Sequence, residues 1–381
     1  MPGSVKILHT SDLHLDSRFV GISDRAVRAR RRGEHCQVIR RIVNLASSES
    51  VDLILIVGDL FDETTYQLET ISYLVDEFRR FHPKQVFIAP GLVDAHHRQS
   101  PYALFDWGEN VHIFESSEFS SVSIPDLGVK VHGIAPDREH IEANLLENLR
   151  ADGDESIQIG MLFGSNVDRV PAGVETPFPF SDEDVKSTGI DYLALGGYHS
   201  YQRFGSNTVA CYSGMPEPTG FDELGEKCVV LAEVSREKVQ VSPRNISGLV
   251  FYEMDVDISG ISATDKLARR VTKALKGQDR GGSLIRVRLV GTPDPGIVID
   301  PPVLIQRVHW VPGHLQIEDR TGAEPDWADI HRKSTLAGEF ARSMQEKVDR
   351  KESARHEKVM GYGLMALLGK DKLRLRKPPS G

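Results

Sequence analysis

The chain has 381 residues and a formal net charge of −9, with 40% hydrophobic and 27% charged residues. This composition is typical of a folded chain of more than one domain and excludes a disordered or fibrous protein. The acidic balance also excludes a protein that coats nucleic acid with its whole surface, so any such contact has to come from local basic patches.

No uninterrupted apolar run approaches the roughly 20 residues that span a bilayer, so no membrane segment is predicted. The chain enters a strand-like run directly after Met1–Ser4, which predicts that it has no signal peptide. Its cysteines show no close pairing in sequence and favour a reducing compartment, so we expect a cytoplasmic location. These cysteines are Cys36, Cys211 and Cys228.

Short apolar runs alternate with amphipathic segments over residues 1–245. Between the apolar runs, Ile39–Ser47 and Thr70–Phe81 carry helical spacing. The alternation predicts an α/β domain with a layered β-sheet core flanked by helices. The runs rich in Val, Ile and Leu that we predict as buried strands are Val5–Leu8, Leu53–Val57, Val86–Ala89, Ile157–Leu162 and Tyr192–Leu195.

The pattern changes near Pro243–Gly248, and a smaller α+β domain is predicted over residues 246–325. Within it, Gly291–Pro302 is predicted to be a loop because it is rich in Pro and Gly. From Asp326 onward, apolar residues recur near helical spacing, which predicts a helical tail over residues 326–381. The segments assigned to the α+β domain are Val250–Ile258, Thr264–Leu275, Ser283–Val290, Val303–Val308 and His314–Glu318.

Polar residues follow several of the predicted strands, namely Asp12, Asp59, Asp94 and His199. Sites in sheets of this kind form at the carboxyl ends of the strands, so we expect one shared site. Asp12 and His14 are two residues apart and can chelate a single ion, while Asp59 can bridge to a second one. Mixed nitrogen and oxygen ligands suit Mn²⁺, Fe or Zn²⁺.

The segment at residues 9–19 (His-Thr-Ser-Asp-Leu-His-Leu-Asp-Ser-Arg-Phe) resembles the opening of calcineurin-like metallophosphoesterases. Within that family it is most similar to the SbcD-type DNA repair nuclease subunits and the related YhaO proteins. Gly58–Asp62 fits the second block of the family, and Tyr212–Glu223 resembles the block after its last metal motif. The resemblance covers the first domain well and the second in outline, and it implies a metallophosphoesterase fold.

The family is similar in using two metals bridged by an aspartate. Its ligands for the first metal are the D-x-H pair, the bridging aspartate and the last histidine of a G-H-x-H motif. All of these match residues present in this chain, which are Asp12, His14, Asp59 and His199. The resemblance therefore implies one divalent metal, with Mn²⁺ expected first and Fe or Zn²⁺ as alternatives.

The positions for the second metal have lost their ligands. They read Leu92, Phe163 and Gly197 in this chain, and the position of the general acid reads Val93. A second metal is therefore not expected. His96 and His97 lie just beyond this block, and two interpretations stay open: a substitute ligand or acid, or a pair of polar loop histidines.

These losses lead us to expect a catalytically impaired DNA repair nuclease subunit that acts in DNA engagement or complex assembly. A two-metal clamp contributes several kcal/mol, and a positioned general acid adds about 10²–10⁴-fold. One alternative is an active metal-dependent phosphodiesterase or DNA exonuclease that uses one metal or unusual ligands. The other is a metal-free interaction module in which the four residues persist as a polar cluster.

Arg25, Arg28 and Arg32 would share one face of a helix close to the site loops. They predict either contact with DNA phosphates or a solvated face balanced by acids. The resemblance to SbcD-like proteins further implies that the C-terminal helices dock on an SMC-like ATPase, and that the chain can form a homodimer. The alternative for the tail is packing on the chain's own domains.

Overall fold

The structure is a computed structural model that describes residues 3–62, 66–170, 173–276, 283–294, 297–308, 313–321 and 334–349, with residues 332, 363 and 367. The chain divides into two compact units, Met1–Phe251 and Tyr252–Gly381. The division at residues 245 and 325 stays a prediction.

Strands and helices alternate in the first unit. Its strands are β1 (Val5–Ser11), β2 (Leu53–Val57), β3 (Gln85–Ala89), β4 (Val111–Ile113), β5 (Ser120–Ile124), β6 (Val129–Gly133), β7 (Ile157–Phe163), β8 (Ser165–Asn166), β9 (Pro179–Phe180), β10 (Tyr192–Gly196), β11 (Gln202–Phe204), β12 (Val209–Tyr212), β13 (Cys228–Val234) and β14 (Val239–Asn245). Its helices are α1 (Arg25–His35), α2 (Gln37–Ser48), α3 (Leu68–Arg79), α4 (Pro101–Leu104) and α5 (Asp182–Thr188).

The strands form two six-stranded sheets, in the orders β14-β13-β1-β2-β3-β4 and β11-β12-β10-β7-β6-β5. In the first sheet β1 to β4 pair in parallel, and in the second sheet β6, β7, β10 and β12 do so. Antiparallel strands complete both edges of the second sheet and one edge of the first. The carboxyl ends of the parallel strands therefore lie at one edge of each sheet.

Strand β2 shows why the sheets stack. Leu53, Leu55 and Val57 point into an apolar cluster between the two sheets. Ile54 and Ile56 point the other way, into a cluster with α2 and α3. Successive side chains of a strand face opposite sides, so a strand buried on both faces reads as a continuous apolar run. The predicted α/β fold of a layered β-sheet core flanked by helices is confirmed.

The second unit contains a three-stranded sheet. Its strands are β15 (Val250–Asp257), β16 (Ser283–Val290) and β17 (His314–Asp319), in that order, with β16 and β17 parallel. Its helices are α6 (Thr264–Leu275), α7 (Pro301–Arg307) and α8 (Leu336–Asp349). The first two helices pack on the sheet around one apolar cluster.

One boundary in this unit differs from the prediction. The loop expected over Gly291–Pro302 ends earlier, because Pro301 and Pro302 are the first residues of α7. Proline suits the first turn of a helix, where its missing N–H leaves no bond unmade. Of the predicted helical tail, α8 forms as expected, whereas residues 326–331, 333, 350–362, 364–366 and 368–381 lie outside the described residues.

No helix within the described ranges is both long and apolar enough to cross a bilayer. Cys36, Cys211 and Cys228 are all free thiols.

Candidate metal centre

The loops that follow β1 and β2 are joined through their backbones. The Asp12 N–H donates to the carbonyl of Gly58 at 3.1 Å, and the His14 N–H donates to the carbonyl of Asp59 at 2.8 Å. Asp12, His14 and Asp59 have φ angles of 52°, 44° and 48°. Residues other than glycine rarely adopt this left-handed conformation, which persists where surrounding contacts fix it and is frequent at functional sites.

Three side chains converge at this edge of the sheets: Asp12, His14 and His199. Each offers one ligand atom, and these atoms all lie within 4.8 Å of one another. The His199 Nε2 is 4.0 Å from the Asp12 Oδ1, and the two imidazole centroids are 5.3 Å apart. Loops after β1 and β10 thus supply one carboxylate and two imidazoles to one point.

A carboxylate fixes the orientation of His14. Its Nδ1 is hydrogen-bonded to the Asp62 Oδ1 at 3.1 Å, which leaves Nε2 buried without a hydrogen-bond partner in the described part of the chain. That Nε2 is 3.7 Å from the Asp59 Oδ2. Burial opposes protonation of His14, but the Asp62 hydrogen bond and the charges of Asp59 and Asp12 outweigh it and raise its pKa to about 9.

A second carboxylate orients His199 in the same way. Its Nδ1 is hydrogen-bonded to the Glu223 Oε1 at 2.6 Å, and Glu223 is itself held by the backbone N–H of Thr219 at 2.8 Å. Burial opposes ionisation of Glu223, but the hydrogen bonds from His199 and Thr219 lower its pKa to about 2. Imidazoles that bind metals usually donate their other N–H to a carboxylate in this manner.

This donor set fits a divalent metal ion. The buried Nε2 of His14 lacks, among the described residues, the hydrogen-bond partner that a buried polar atom normally has. Two imidazole nitrogens and an Asp12 carboxylate match the ligand preferences of Mn²⁺, Fe or Zn²⁺. Asp59 stands outside the group of three, next to His14. The negative charges of the carboxylates around His14 favour its protonated form, and they would also attract a metal cation.

Removing the charge of Glu223 is expected to weaken metal binding. The Glu223→Gln variant keeps the shape but loses the charged acceptor that holds His199, so metal affinity should fall about 10- to 100-fold. Isothermal titration with Mn²⁺ measures this change. The control is Asp222→Asn, an exposed neighbour of the same charge, which should bind as the parent protein does. Equal affinities for both variants would contradict the positioning role of Glu223.

Asp94 is a structural anchor in this site. Its buried carboxylate accepts hydrogen bonds from the backbone N–H groups of Gly91 at 2.7 Å, Leu60 at 2.7 Å and Asp59 at 3.1 Å. The Tyr102 hydroxyl donates a fourth bond at 2.5 Å. Asp94 therefore ties the loop after β3 to the loop after β2, which positions Asp59.

Loss of the Tyr102 hydroxyl is expected to destabilise the fold. Tyr102→Phe removes a hydrogen bond to a buried carboxylate, so the free energy of unfolding should fall by about 1.5–3 kcal/mol. Tyr201→Phe is the control, because Tyr201 is 37% exposed and loss of its hydroxyl should stay within about 0.5 kcal/mol. Chemical denaturation measures both. Equal losses would show that Asp94 does not depend on Tyr102.

The Phe163 ring fills the space beside the loops of β2 and β10. Phe163 is 4% exposed. A Cβ atom built on Gly58 would lie 2.2 Å from the Phe163 Cδ2, and one on Gly197 would lie 3.1 Å from its Cε2. Gly197 also has a φ of +97°, which L side chains rarely adopt. A histidine at residue 197 is thus opposed by both the backbone and the neighbouring ring.

Backbone N–H groups of two residues in the predicted second-metal and general-acid positions bond the carboxylates of the centre. The Gly197 N–H donates to the two Asp12 oxygens at 3.0 and 3.2 Å, and the Val93 N–H donates to the Asp59 Oδ1 at 2.9 Å. The Arg138 side chain donates a hydrogen bond to the carbonyl of Leu92, in the loop after β3, at 2.8 Å. Leu92 and Val93 thus contribute only backbone groups to this network.

His96 and His97 line a separate cavity of about 340 Å³ together with Glu115 and Arg138. Among the described residues, neither histidine belongs to the group formed by the three convergent ligands. The His96 Nε2 is buried without a hydrogen-bond partner in the described ranges, and burial lowers the pKa of His96. Their use as substitute ligands or acids stays a prediction.

The arginines of α1 are partly neutralised. Arg32 lies 3.8 Å from the carboxylate of Asp16, whereas the structure shows no ion pair between Arg25 or Arg28 and any other described residue. Arg25 is exposed and Arg28 half-buried. Contact between this face and DNA phosphates stays a prediction.

The family model of calcineurin-like phosphoesterases matches residues 5–200, which is more than half of the chain. The chain belongs to the calcineurin-like phosphoesterase family. Members of this family use divalent metals, and the three convergent side chains are the candidate ligands here. The first two blocks of the resemblance described above, at residues 9–19 and Gly58–Asp62, lie within the matched segment.

A curated relative is the "uncharacterized metallophosphoesterase YhaO" of Bacillus subtilis. It is 28% identical over 289 residues, which cover 74% of this chain and 70% of that protein. Two solved structures are also similar. TT1561 of Thermus thermophilus has a TM-score of 0.37 and 14% identity, with coverage of 63% of this chain and 99% of that one. The purple acid phosphatase PPD1 of yellow lupin (Lupinus luteus) has a TM-score of 0.36 and 12% identity, with coverage of 64% and 51%.

Proposed function

We propose that this protein is a YhaO-like phosphoesterase that holds one divalent metal and engages DNA with little or no hydrolysis of it. The observation that carries this proposal is the asymmetry of the centre. Asp12, His14 and His199 converge with their partners in place, while the Phe163 ring fills the space beside Gly58 and Gly197. Mn²⁺ is the proposed ion, with Asp59 beside it.

The chemistry of such a centre is limited by what the residues supply. A bound divalent ion polarises a phosphoryl oxygen and lowers the pKa of a bound water. Asp62 and Glu223 hold the two imidazoles through Nδ1, which leaves the Nε2 of His14 next to Asp59 and the Nε2 of His199 next to Asp12. Val93 carries no titratable group, so the side chain at the general-acid position cannot protonate a leaving oxygen. Substrate positioning without efficient turnover follows from this arrangement.

The proposed DNA engagement is tested by binding measurements. Fluorescence anisotropy with a DNA duplex measures the binding constant at several salt concentrations. The logarithm of this constant, plotted against the logarithm of the salt concentration, has a slope of about −0.9 per phosphate contact. The double variant Arg25→Ala/Arg28→Ala should reduce that slope by about 2. The control is Arg79→Ala/Lys186→Ala, which removes two cations outside this face. An unchanged slope in the α1 variant, or no DNA binding by the parent protein, would contradict the proposal.

A working phosphodiesterase or exonuclease is the second candidate. The Nε2 of His96, which is buried without a hydrogen-bond partner in the described ranges, favours it. Burial lowers the pKa of His96 and keeps the imidazole neutral, which suits a substitute metal ligand in a cavity that also contains His97. Under this candidate, His96→Gln would abolish a Mn²⁺-dependent activity that the parent protein shows on a generic phosphodiester. Under our leading proposal there is no such activity to lose.

Assembly with an SMC-like ATPase is part of the same proposal. The C-terminal helices, of which α8 is described, would supply the docking segment. Co-purification of the full chain with such an ATPase tests this role. Removal of the chain from Leu336 onward should abolish the co-purification. A stable complex formed by the truncated chain would contradict it.

A further inference from the structure

A basic groove lies in the second unit between α6 and α7. It encloses about 580 Å³, a volume within the range of sites that bind small molecules, about 300–1,000 Å³. Its lining includes Arg269, Thr272, Lys273, Lys276, Gln306 and Arg307. This groove consists of residues that the metal centre does not use.

Three of its cations are not neutralised. In the described part of the chain, Arg269, Lys273 and Lys276 form no ion pair, and all three are exposed. Only Arg307 is paired, to Asp265 at 2.7 Å. The cations on the sheet of the same unit differ, because Arg286 and Arg288 both pair with carboxylates. The groove is therefore a local cluster of positive charge on a chain that is acidic as a whole.

The helix dipole accounts for the position of Lys273 but not for the positions of the other cations. Lys273 lies in the last turn of α6, where a cation is favoured by the dipole. Arg269 lies a full turn earlier, and Arg307 belongs to the neighbouring helix. Arg269, Lys273 and Lys276 are spaced by four and three residues and share one face. They extend along about 10 Å of the axis.

We propose that this groove binds a polyphosphate anion, such as inorganic triphosphate or the triphosphate group of a nucleotide. Four cations and one carboxylate give the lining a net charge of three positive, which complements several linked phosphates. The Thr272 hydroxyl and the Gln306 amide add uncharged hydrogen-bond donors. The row of cations along α6 suits an extended chain of phosphates better than a single one. This site is independent of the proposed function, because it needs neither the metal centre nor the first unit.

Calorimetric titration of the full chain tests the proposal, with inorganic triphosphate, ATP and adenosine as probes. Triphosphate and ATP should bind with similar affinity, and adenosine should not bind. In Arg269→Ala/Lys273→Ala, both affinities should fall about tenfold or more, because charge-assisted contacts are lost. The matched control is Arg98→Ala/Lys238→Ala, which removes one arginine and one lysine that are exposed in the first unit and should bind as the parent protein does.

Three results would overturn the proposal. One is the absence of saturable binding of triphosphate at concentrations up to about 1 mM. Another is equal affinity in the groove variant and the parent protein. A third is the finding that a DNA duplex binds through Arg269 and Lys273 and is not displaced by triphosphate. The groove would then be a nucleic-acid surface. Thermal melting confirms that both double variants are folded.

Discussion

The His14→Ala variant is expected to lose metal binding altogether. His14 supplies the buried Nε2 that has no partner in the described part of the chain, and its ring is already oriented by Asp62. Removal leaves Asp12 and His199 as the remaining members of the convergent group. Since loss of an orienting partner alone costs about 10- to 100-fold in metal affinity, loss of the ligand should exceed that range. Metal content after dialysis against Mn²⁺ measures it.

The control for this prediction is His96→Gln. It also removes an imidazole whose Nε2 is buried and unpartnered, but one that lies outside the convergent group. It should retain the metal content of the parent protein. If His96→Gln lost the ion and His14→Ala kept it, the assignment of ligands would be wrong and the loop after β3 would hold the metal.

The second large effect that we expect is a loss of stability in the Gly91→Ala variant. A Cβ atom at residue 91 would lie 2.3 Å from the Asp59 Oδ1 and 2.6 Å from the Asp59 backbone nitrogen. A backbone atom cannot rotate away, so the loop after β3 has to move and the hydrogen bonds of Asp94 have to break. Overpacking of this kind costs about 1–3 kcal/mol or more, and the bonds to Asp94 add to that loss.

A glycine in open space provides the matched control. Gly33 lies inside α1, and a Cβ atom there meets nothing within 4 Å. Gly33→Ala should therefore stabilise the fold by about 0.5–1 kcal/mol through helix propensity. Chemical denaturation compares the two variants. A Gly91→Ala protein as stable as the parent, with unchanged metal affinity, would contradict the close approach of the two loops.

Much of the fold is readable from the apolar runs. Leu53–Val57 forms a strand at the predicted bounds, because a strand covered on both faces needs an apolar residue at every position. The pattern of continuous apolar runs does not reveal the edge strand Ser120–Ile124, because its serines alternate with Val122 and Ile124. Its sequence resembles a polar loop as much as a strand. The pair of stacked sheets therefore emerges only from the structure.

The convergence of Asp12, His14 and His199 could be anticipated from the sequence more readily than the residues that hold them. Asp12 and His14 share one loop, and this pair together with Asp59 after a second strand predicts chelation of an ion. Asp62 and Glu223 act at sequence separations of 48 and 24 residues from the imidazoles they orient, and no spacing rule connects them. Phe163 illustrates a further limit. Its identity predicts that a ligand is missing, whereas the position of its ring against Gly58 is visible only in the structure.

The asymmetry of the centre is tested most directly by counting ions and turnover in the same samples. Metal-stripped protein is titrated with Mn²⁺, the bound ions are counted by elemental analysis, and the samples are assayed on DNA and on a generic phosphodiester. Our proposal predicts one ion per chain and little or no turnover. Two ions per chain together with turnover would contradict it, because hidden ligands would then complete an active centre despite Phe163 and Gly197.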